Sequence, residues 1–277
     1  MIFRSLVAPL SIALIFSLAN ISFAQQSSAS ALFDVMKLGK IISVMREEGL
    51  AYGASLGDEM MPGRSIPEWP SEVARVYDQD KMIDGMRDAF VATLGDRDMG
   101  PLVAFFESDL GQDIVELEYS ARVAFIDEAI EEGAISQYQD REAEDDPMLV
   151  AVKSFVATND YVEANVAGAL NSNFAFYTGM IDGGALSSRM SESDILADVW
   201  AQEPEIRANT EEWLYSYLLM AYQPLGVEGL NAYEQIMATA EGRAMNAALF
   251  ESFDQMYVAI SRELGQSVAG YMLAEEL

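Results

Sequence analysis

The amino-acid sequence predicts an all-α protein, a multi-helix, bundle-like fold built from two related helical units. Apolar residues recur three or four positions apart through most of the chain, the spacing that lines one face of a helix. The chain has no convincing run of alternating β-branched residues, which would indicate strands. Glycines and prolines separate the helical stretches, and a short motif occurs once in each half of the chain.

The first element is a secretory signal peptide, predicted over residues 1–24. Arg4 supplies the positive charge, an apolar run follows at residues 6–18, and small residues ending at Ala24 form the cleavage site. The apolar run is shorter than the roughly 20 residues of a membrane-spanning helix, which favours cleavage over a retained anchor. We therefore expect an exported protein that begins at Gln25, in the periplasm of a Gram-negative bacterium, without a membrane span after signal removal.

The remaining chain is predicted to form two helical halves. The N-terminal half covers residues 25–139 and the C-terminal half residues 148–277. Between them, "DREAEDDP" at residues 140–147 is charged and poor in apolar residues, as is typical of a solvated acidic linker. The apolar spacing predicts helices near residues 30–60, 70–79, 80–94, 98–107, 109–135, 147–157, 159–181, 192–223, 228–238 and 240–273.

Composition limits both the partners and the chemistry. The chain has 16 Lys and Arg against 45 Asp and Glu, a formal net charge of −29. Nucleic acid is excluded as a partner, because binding to phosphates needs clustered cations. A cationic partner would be attracted, although dispersed acidic residues on helix surfaces also serve solubility alone. Since the sequence has neither Cys nor His, we expect no disulfide, no zinc or haem site, no cofactor and no Ser-His or Cys-His catalysis.

Two patterns resemble functional sites without meeting their requirements. "GASLG" at residues 53–57 matches the Gly-x-Ser-x-Gly of hydrolase nucleophiles, but it follows no strand and has no His to act as base. Gly53 and Gly57 are instead expected to mark a helix face against which a second helix packs closely. Three glutamates fall within about one helical turn: Glu128, Glu131 and Glu132. They could bind calcium or magnesium, but a solvated acidic face is the better explanation because no EF-hand loop is present.

The most informative pattern is the motif that occurs twice. "FFESDLGQDI" begins at residue 105, and "IMATAEGRAM" follows 131 residues later, at residue 236. Each contains Ser or Thr, two further residues, Gly, and then Gln or Arg. The motif residues are Phe105, Phe106, Ser108, Gly111, Gln112, Thr239, Gly242 and Arg243. The same shift places apolar positions on apolar positions, which predicts an internal duplication with units near residues 80–135 and 210–265. The alternative is chance agreement between amphipathic helices, which would not produce the shared motif.

Each motif is predicted to form a tight helix corner. Ser108 and Thr239 stand where a hydroxyl caps the first turn of a long helix. Gly111 and Gly242 fall at the third helical position, where glycine is less favourable than alanine by about 1 kcal/mol. The missing Cβ would let that turn lie directly on the preceding helix. Anion binding at the helix N-terminus is the alternative, and acidic residues in both first turns disfavour it.

The stretch "LVAFFESDLGQDIVELEYSARVAFID" resembles the signature of a bacterial family called domain of unknown function 2059. That signature has an aromatic pair, then Ser/Thr-Pro-x-Gly and a long helix. The resemblance covers residues 80–135 and, more weakly, residues 210–265. This chain departs from it at Asp109, where Pro is usual, and at Asp113, where a basic residue is common. The resemblance implies an exported helical protein and supplies no mechanism.

The sequence thus predicts an exported, non-catalytic helical protein that acts through protein or small-ligand binding in the cell envelope. The alternative is a carboxylate-dependent envelope hydrolase of the peptidoglycan glycosidase type, because carboxylates are the one abundant group able to support catalysis. Such an enzyme needs one carboxyl with a raised pKa in an apolar cleft, beside a second ionised one. Spacing alone assigns no catalytic or metal-binding residue.

Overall fold

A computed structural model describes residues 28–63, 66–186 and 191–274, which form helices joined by short turns and include no strand. The predicted signal peptide, residues 1–24, lies outside the described residues. Within the described part of the chain, no helix combines the length and apolar character that crossing a bilayer requires. The helices are α1 (28–35), α2 (Leu38–Met60), α3 (Trp69–Val76), α4 (Gln79–Leu94), α5 (Gly100–Phe106), α6 (Asp109–Ala124), α7 (Glu128–Glu142), α8 (Pro147–Thr158), α9 (Tyr161–Asp182), α10 (Glu192–Ala201), α11 (Glu203–Tyr222), the 3-10 turn Gln223–Leu225, α12 (Gly226–Met237) and α13 (Ala240–Leu273).

Two of the long helices predicted from the sequence are interrupted in the structure. The stretch expected at residues 30–60 breaks at Lys37, whose left-handed φ of 55° ends α1 before α2 begins. The stretch expected at residues 109–135 divides into α6 and α7. There the Asp127 side chain accepts a hydrogen bond from the Ala129 N–H at 3.0 Å and caps the new helix. In both cases a local backbone feature interrupts a continuous apolar pattern.

A third long helix, expected at residues 192–223, is divided at Gln202 into α10 and α11. Pro204 lies in the first turn of α11, where its missing N–H is tolerated, whereas within a continuous helix it would remove a hydrogen bond. The acidic stretch at residues 140–147 is mostly exposed to solvent and includes the end of α7 and the start of α8. α7 continues into it, and Asp146 caps α8 by accepting two backbone hydrogen bonds at 2.9 and 3.0 Å.

The 34-residue helix α13 is the centre of the fold. α9 and α4 pack along it, and α3, α5 and α12 also contact it. One stripe of α13 is buried, with residues mostly three or four apart: Met245, Ala248, Ser252, Met256, Ile260, Leu264 and Val268. Since α4 comes from the N-terminal half of the chain and α9 from the C-terminal half, α13 joins both halves in one hydrophobic core.

Glycines set how closely several of these helices approach one another. A Cβ added to Gly53 would collide with Val73 of α3, and one added to Gly57 would collide with Trp69, which confirms the close-packing face predicted on α2. A second crossing joins α9 to α13. A Cβ on Gly179 would overlap the carbonyl oxygen of Arg262, so the two backbones are in contact at that end of the pair.

Candidate functional site

The first motif forms a corner between α5 and α6. Ser108 Oγ accepts a hydrogen bond from the Gly111 N–H at 3.2 Å and donates one to the Phe105 carbonyl oxygen at 2.5 Å. Gln112 Nε2 donates to the Phe106 carbonyl oxygen at 2.5 Å. A Cβ on Gly111 would lie 2.5 Å from Phe106 Cα, closer than Cβ atoms approach in folded proteins. The first turn of α6 therefore rests directly on the backbone of α5.

The second motif forms the same hydroxyl cap and glycine contact between α12 and α13, and its Arg243 bonds back to a carbonyl one residue later than the one that Gln112 reaches in the first. Thr239 Oγ1 accepts from the Gly242 N–H at 3.0 Å and donates to the Ile236 carbonyl oxygen at 2.7 Å. Arg243 donates to the Ala238 carbonyl oxygen, and a Cβ on Gly242 would overlap the Ile236 carbonyl oxygen. The motif residues thus hold helix corners, and none of them lines the cavity that α9 and α13 enclose.

Both rings of the aromatic pair in the first motif contact the same tyrosine of the second half of the chain. Phe105 stacks on Tyr233 of α12 with ring centroids 6.0 Å apart, and Phe106 meets the same ring edge-on at 6.2 Å. Tyr233 also lies beside the side chain of Glu118 on α6 and influences the pKa of that carboxyl. The two corners are therefore connected through a buried polar group.

Glu118 lies among four tyrosines, and these five residues are called here the Glu118–tyrosine cluster: Glu118, Tyr161, Tyr217, Tyr222 and Tyr233. The Tyr222 hydroxyl donates to Glu118 Oε1 at 2.6 Å, and the Tyr217 hydroxyl donates to the Glu118 backbone carbonyl at 2.8 Å. The cluster links α6, α9, α11 and α12 in the interior. Among the described residues, no basic side chain pairs with the Glu118 carboxyl.

Burial changes the ionisation of this cluster. Part of the Glu118 residue is accessible to solvent, but its carboxyl group is surrounded by protein. The surroundings of the carboxyl group determine its pKa. Loss of solvation raises the pKa of Glu118 from 4.5 to about 7, against the opposing effect of the Tyr222 and Tyr233 hydroxyls. Burial, with the nearby Glu118 charge, raises the pKa of both tyrosines well above 10.0. The carboxyl is thus protonated through the acidic pH range.

A cavity of about 470 Å³, partly open to solvent, lies between α9 and α13, and residues of α2, α6 and α11 also line it. Its α9 side consists of small residues, among them Ala164, Gly168 and Ala169, and these face Phe250 and Phe253 of α13. At Gly168 an added Cβ would have Asp254 Oδ1, 3.9 Å away, as its nearest neighbour, so the space is open there. This α9–α13 cavity has the volume and the mainly apolar lining of small-molecule sites.

Two ionisable groups of opposite sign border the α9–α13 cavity. Arg122 donates from Nη2 to the Glu48 carboxylate, and its guanidinium lies over the Trp213 ring, 5.1 Å from the centroid. Asp254 Oδ1 accepts a hydrogen bond from Asn171 at 2.9 Å, but no basic side chain among the described residues forms an ion pair with it. The positive charge of Arg122 is therefore compensated by an ion pair, whereas the negative charge of Asp254 is not.

The tyrosines that line the cavity stay neutral. Burial raises the pKa of Tyr257 to about 12, although the positive charge of Arg122 opposes the shift. Burial and the charge of Glu118 raise the pKa of Tyr217 in the same direction. Both hydroxyls thus remain protonated at physiological pH, and neither adds a negative charge to that of Asp254.

A second depression, of about 350 Å³, adjoins Arg122 and is bordered by Glu48, Glu131, Phe125 and Trp213. Burial and the neighbouring Glu48 charge raise the pKa of Glu131, while Arg122 lowers it. This acidic depression is thus a place where a carboxyl with a raised pKa lies near a second carboxyl. No group of three or more acidic side chains that could hold a metal ion occurs within the described ranges.

Comparison with known proteins identifies one family. Residues 80–136 match the model of the family described as "Uncharacterized protein conserved in bacteria (DUF2059)". The match runs from α4 into α7 and includes the first motif, which confirms the resemblance found in the sequence. Comparisons with curated proteins and with solved structures find no match. The family therefore covers one of the two proposed units and assigns no activity to it.

The residues of the α9–α13 cavity were not predicted from the sequence. Ala164, Gly168 and Ala169 carry no signal of their own, because small residues occur equally in close helix contacts. Asp254, in contrast, did carry a signal in the sequence. It lies on the same face of α13 as Phe250 and Tyr257, four residues before it and three after it, where a purely structural helix would place another apolar residue.

Proposed function

We propose that this chain is an exported, non-catalytic protein of the cell envelope that binds a small, mainly apolar ligand in the α9–α13 cavity. The observation that carries the proposal is the cavity itself, about 470 Å³, partly open to solvent and lined by aromatic and small side chains of five helices. A concave space of this volume with a mainly apolar lining is typical of small-molecule sites. Export is supported by the signal-peptide pattern of residues 1–24, and a periplasmic location follows from it.

We also propose that the two corner units arose by internal duplication. α4, α5 and α6 follow one another as α11, α12 and α13 do, with the corner between the last two helices of each set. The hydroxyl cap, the glycine and the side chain that bonds back to a carbonyl occupy matching positions 131 residues apart, from Gly111 to Gly242. In this proposal the second unit supplies the long helix that lines the ligand cavity.

Fluorescence titration with the neutral probe N-phenyl-1-naphthylamine tests the binding function. The parent protein is expected to bind one probe molecule saturably. Gly168→Leu should remove that binding, because the new side chain would enter open space beside Asp254 and fill the cavity. Gly270→Leu is the matched control, since Gly270 is an exposed position of α13, the other main helix of the cavity, with nothing within 4 Å of an added Cβ.

Two results would overturn the cavity proposal. One is a parent protein that does not bind the probe saturably. The other is equal binding by the parent and Gly168→Leu, with both folded by circular dichroism, because the probe would then occupy another surface.

A second candidate function is hydrolysis of peptidoglycan glycosidic bonds at the acidic depression. The observation in its favour is the raised pKa of Glu131 near Glu48, with Trp213 beside them. The observation against it is that Arg122 already holds the Glu48 carboxylate in an ion pair. Incubation with purified peptidoglycan tests it: release of soluble fragments by the parent, lost in Glu131→Gln, would support hydrolysis, and no release would exclude it.

A further inference from the structure

We propose that the ligand of the α9–α13 cavity is a cationic amphiphile, an apolar molecule whose single ammonium group is bound by Asp254. This proposal rests on the binding function proposed for the cavity and specifies the chemistry of its ligand. The charges that support this proposal are those of Arg122 and Asp254 at the cavity and the net charge of the protein.

The positive charge at the cavity is already neutralised within the protein. Arg122 forms an ion pair with Glu48 and lies over Trp213, and Glu131 adds a further negative charge close to both. A ligand anion directed at Arg122 would have to compete with Glu48 and would be repelled by Glu131. Arg122 Nε is a donor without a partner among the described residues, but it is buried and has almost no accessible surface for a ligand to contact. Arg122 therefore does not provide a site for an acidic ligand.

The negative charge at the cavity has no such partner. Asp254 receives one hydrogen bond from the neutral Asn171, and no basic side chain among the described residues pairs with it. A carboxylate that is only partly accessible to water gains most from a counter-ion that arrives with its ligand. The rings of Phe250 and Phe253 line the same cavity and would also favour a cation, through their electron-rich faces.

The net charge of the protein also favours a cationic ligand. A formal net charge of −29 attracts cations and repels anions before any contact is made. The cavity volume of about 470 Å³ accommodates a ligand of roughly 15–20 non-hydrogen atoms, taking roughly 25–30 Å³ for each. An alkylammonium with a chain of about ten carbons meets both conditions.

Calorimetric titration with decylammonium, decanol and decanoate, all below their aggregation concentrations, separates charge from apolar contact. We expect decylammonium to bind the parent at least about tenfold more tightly than decanol, and decanoate to bind least. Added salt should weaken the binding of decylammonium and leave that of decanol nearly unchanged.

Asp254→Asn removes the charge and keeps the oxygen that accepts from Asn171. This variant should bind decylammonium and decanol with similar affinity, while its binding of neutral N-phenyl-1-naphthylamine stays at the parent level. Glu251→Gln is the matched control. It removes one charge at an exposed position of the same helix, outside the cavity, and should preserve the preference for the cation.

The proposal is overturned if decanol or decanoate binds the parent as tightly as decylammonium, or if Asp254→Asn retains the preference for the cation. Either result, obtained with normal binding of N-phenyl-1-naphthylamine, leaves the cavity as a binding site for neutral ligands. If the parent binds neither the neutral probe nor any alkyl compound, both the binding function and the ligand class are wrong.

Discussion

Glu118 is the glutamate whose ionisation differs most from that of the other glutamates described in this chain. Its carboxyl accepts a hydrogen bond from Tyr222 and lies among tyrosine side chains, which carry no positive charge. A buried carboxyl without a cation is favoured in its protonated form, because ionisation there loses the solvation that water would provide. The Glu118–tyrosine cluster connects four helices, so the protonation state of Glu118 affects the stability of the whole core.

The first prediction is that Glu118 makes stability fall as pH rises. Below pH 4.5 the carboxyl is protonated in both the folded and the unfolded chain. Between pH 4.5 and about 7 the unfolded chain releases the proton while the folded chain keeps it, so the free energy of unfolding decreases. The decrease should total at most about 3 kcal/mol and should cease above the folded pKa.

Urea unfolding of the parent and of Glu118→Gln, from pH 4.5 to 8, measures this effect. The glutamine keeps an oxygen that accepts from Tyr222 but does not ionise, so the difference between the two free energies should change across this range. Subtraction removes the contributions of the other carboxyls, including surface groups such as Glu163 whose pKa is lowered by Arg207. A difference that is constant with pH would show that Glu118 is not held in its protonated form.

At the level of single helices, glycines decide which contacts are possible. The corners at Gly111 and Gly242 bring one helix onto the backbone of the one before it, and Gly179 does the same for the α9–α13 crossing. A carbonyl oxygen or a Cα atom cannot move aside as a flexible side chain can. An added methyl group at these positions must therefore displace a helix.

The second prediction is that alanine destabilises both corners although it is the better helix former. Gly111→Ala and Gly242→Ala should each lower the free energy of unfolding by about 1–3 kcal/mol through overpacking. Gly133→Ala is the control: nothing lies within 4 Å of a Cβ there, so this variant should be as stable as the parent or up to about 1 kcal/mol more stable.

Urea unfolding of the three alanine variants decides between packing and anion binding at the corners. If both corner variants are as stable as the parent, the glycines are not there for packing. An anion site at the helix N-terminus would then be the better explanation, and phosphate or sulfate should stabilise the parent.

The sequence predicted the helices and the chemistry of the corners, because both depend on neighbouring residues. Ser108 and Gly111 are three residues apart, so one short pattern contains both the cap and the contact it allows. Helix ends were predicted less well, since Lys37 and Asp127 interrupt apolar patterns that continue on both sides of them. The cavity could not be predicted, because it depends on which helix packs against Gly168, and that partner is some 80 residues away.

At the scale of the whole molecule, α13 joins the two halves of the chain. It packs on α4 from the first half and on α9 from the second, and the cavity lies along the second of these contacts. Removal or displacement of α13 would therefore open the core and the cavity together. We infer that ligand binding and overall stability are coupled, since a ligand in the cavity contacts the helix on which both halves depend.

The third prediction concerns processing of the whole chain. If residues 1–24 are a signal peptide, intact-mass measurement of the protein from the producing bacterium should give a chain that begins at Gln25. Substitution of Ala24 by a bulky residue such as Trp should block cleavage at that site. A mature protein that begins at Met1 would contradict export by this route.

The central claim is that the α9–α13 cavity holds a small ligand. Native mass spectrometry of the protein purified gently from its own cell envelope, without detergent, tests it most directly. We predict that the parent carries one small molecule, released when the ion is activated, and that Gly168→Leu purified in parallel carries none while Gly270→Leu carries the same molecule. A parent protein with only the mass of the polypeptide, or an equal adduct on Gly168→Leu, would contradict the claim.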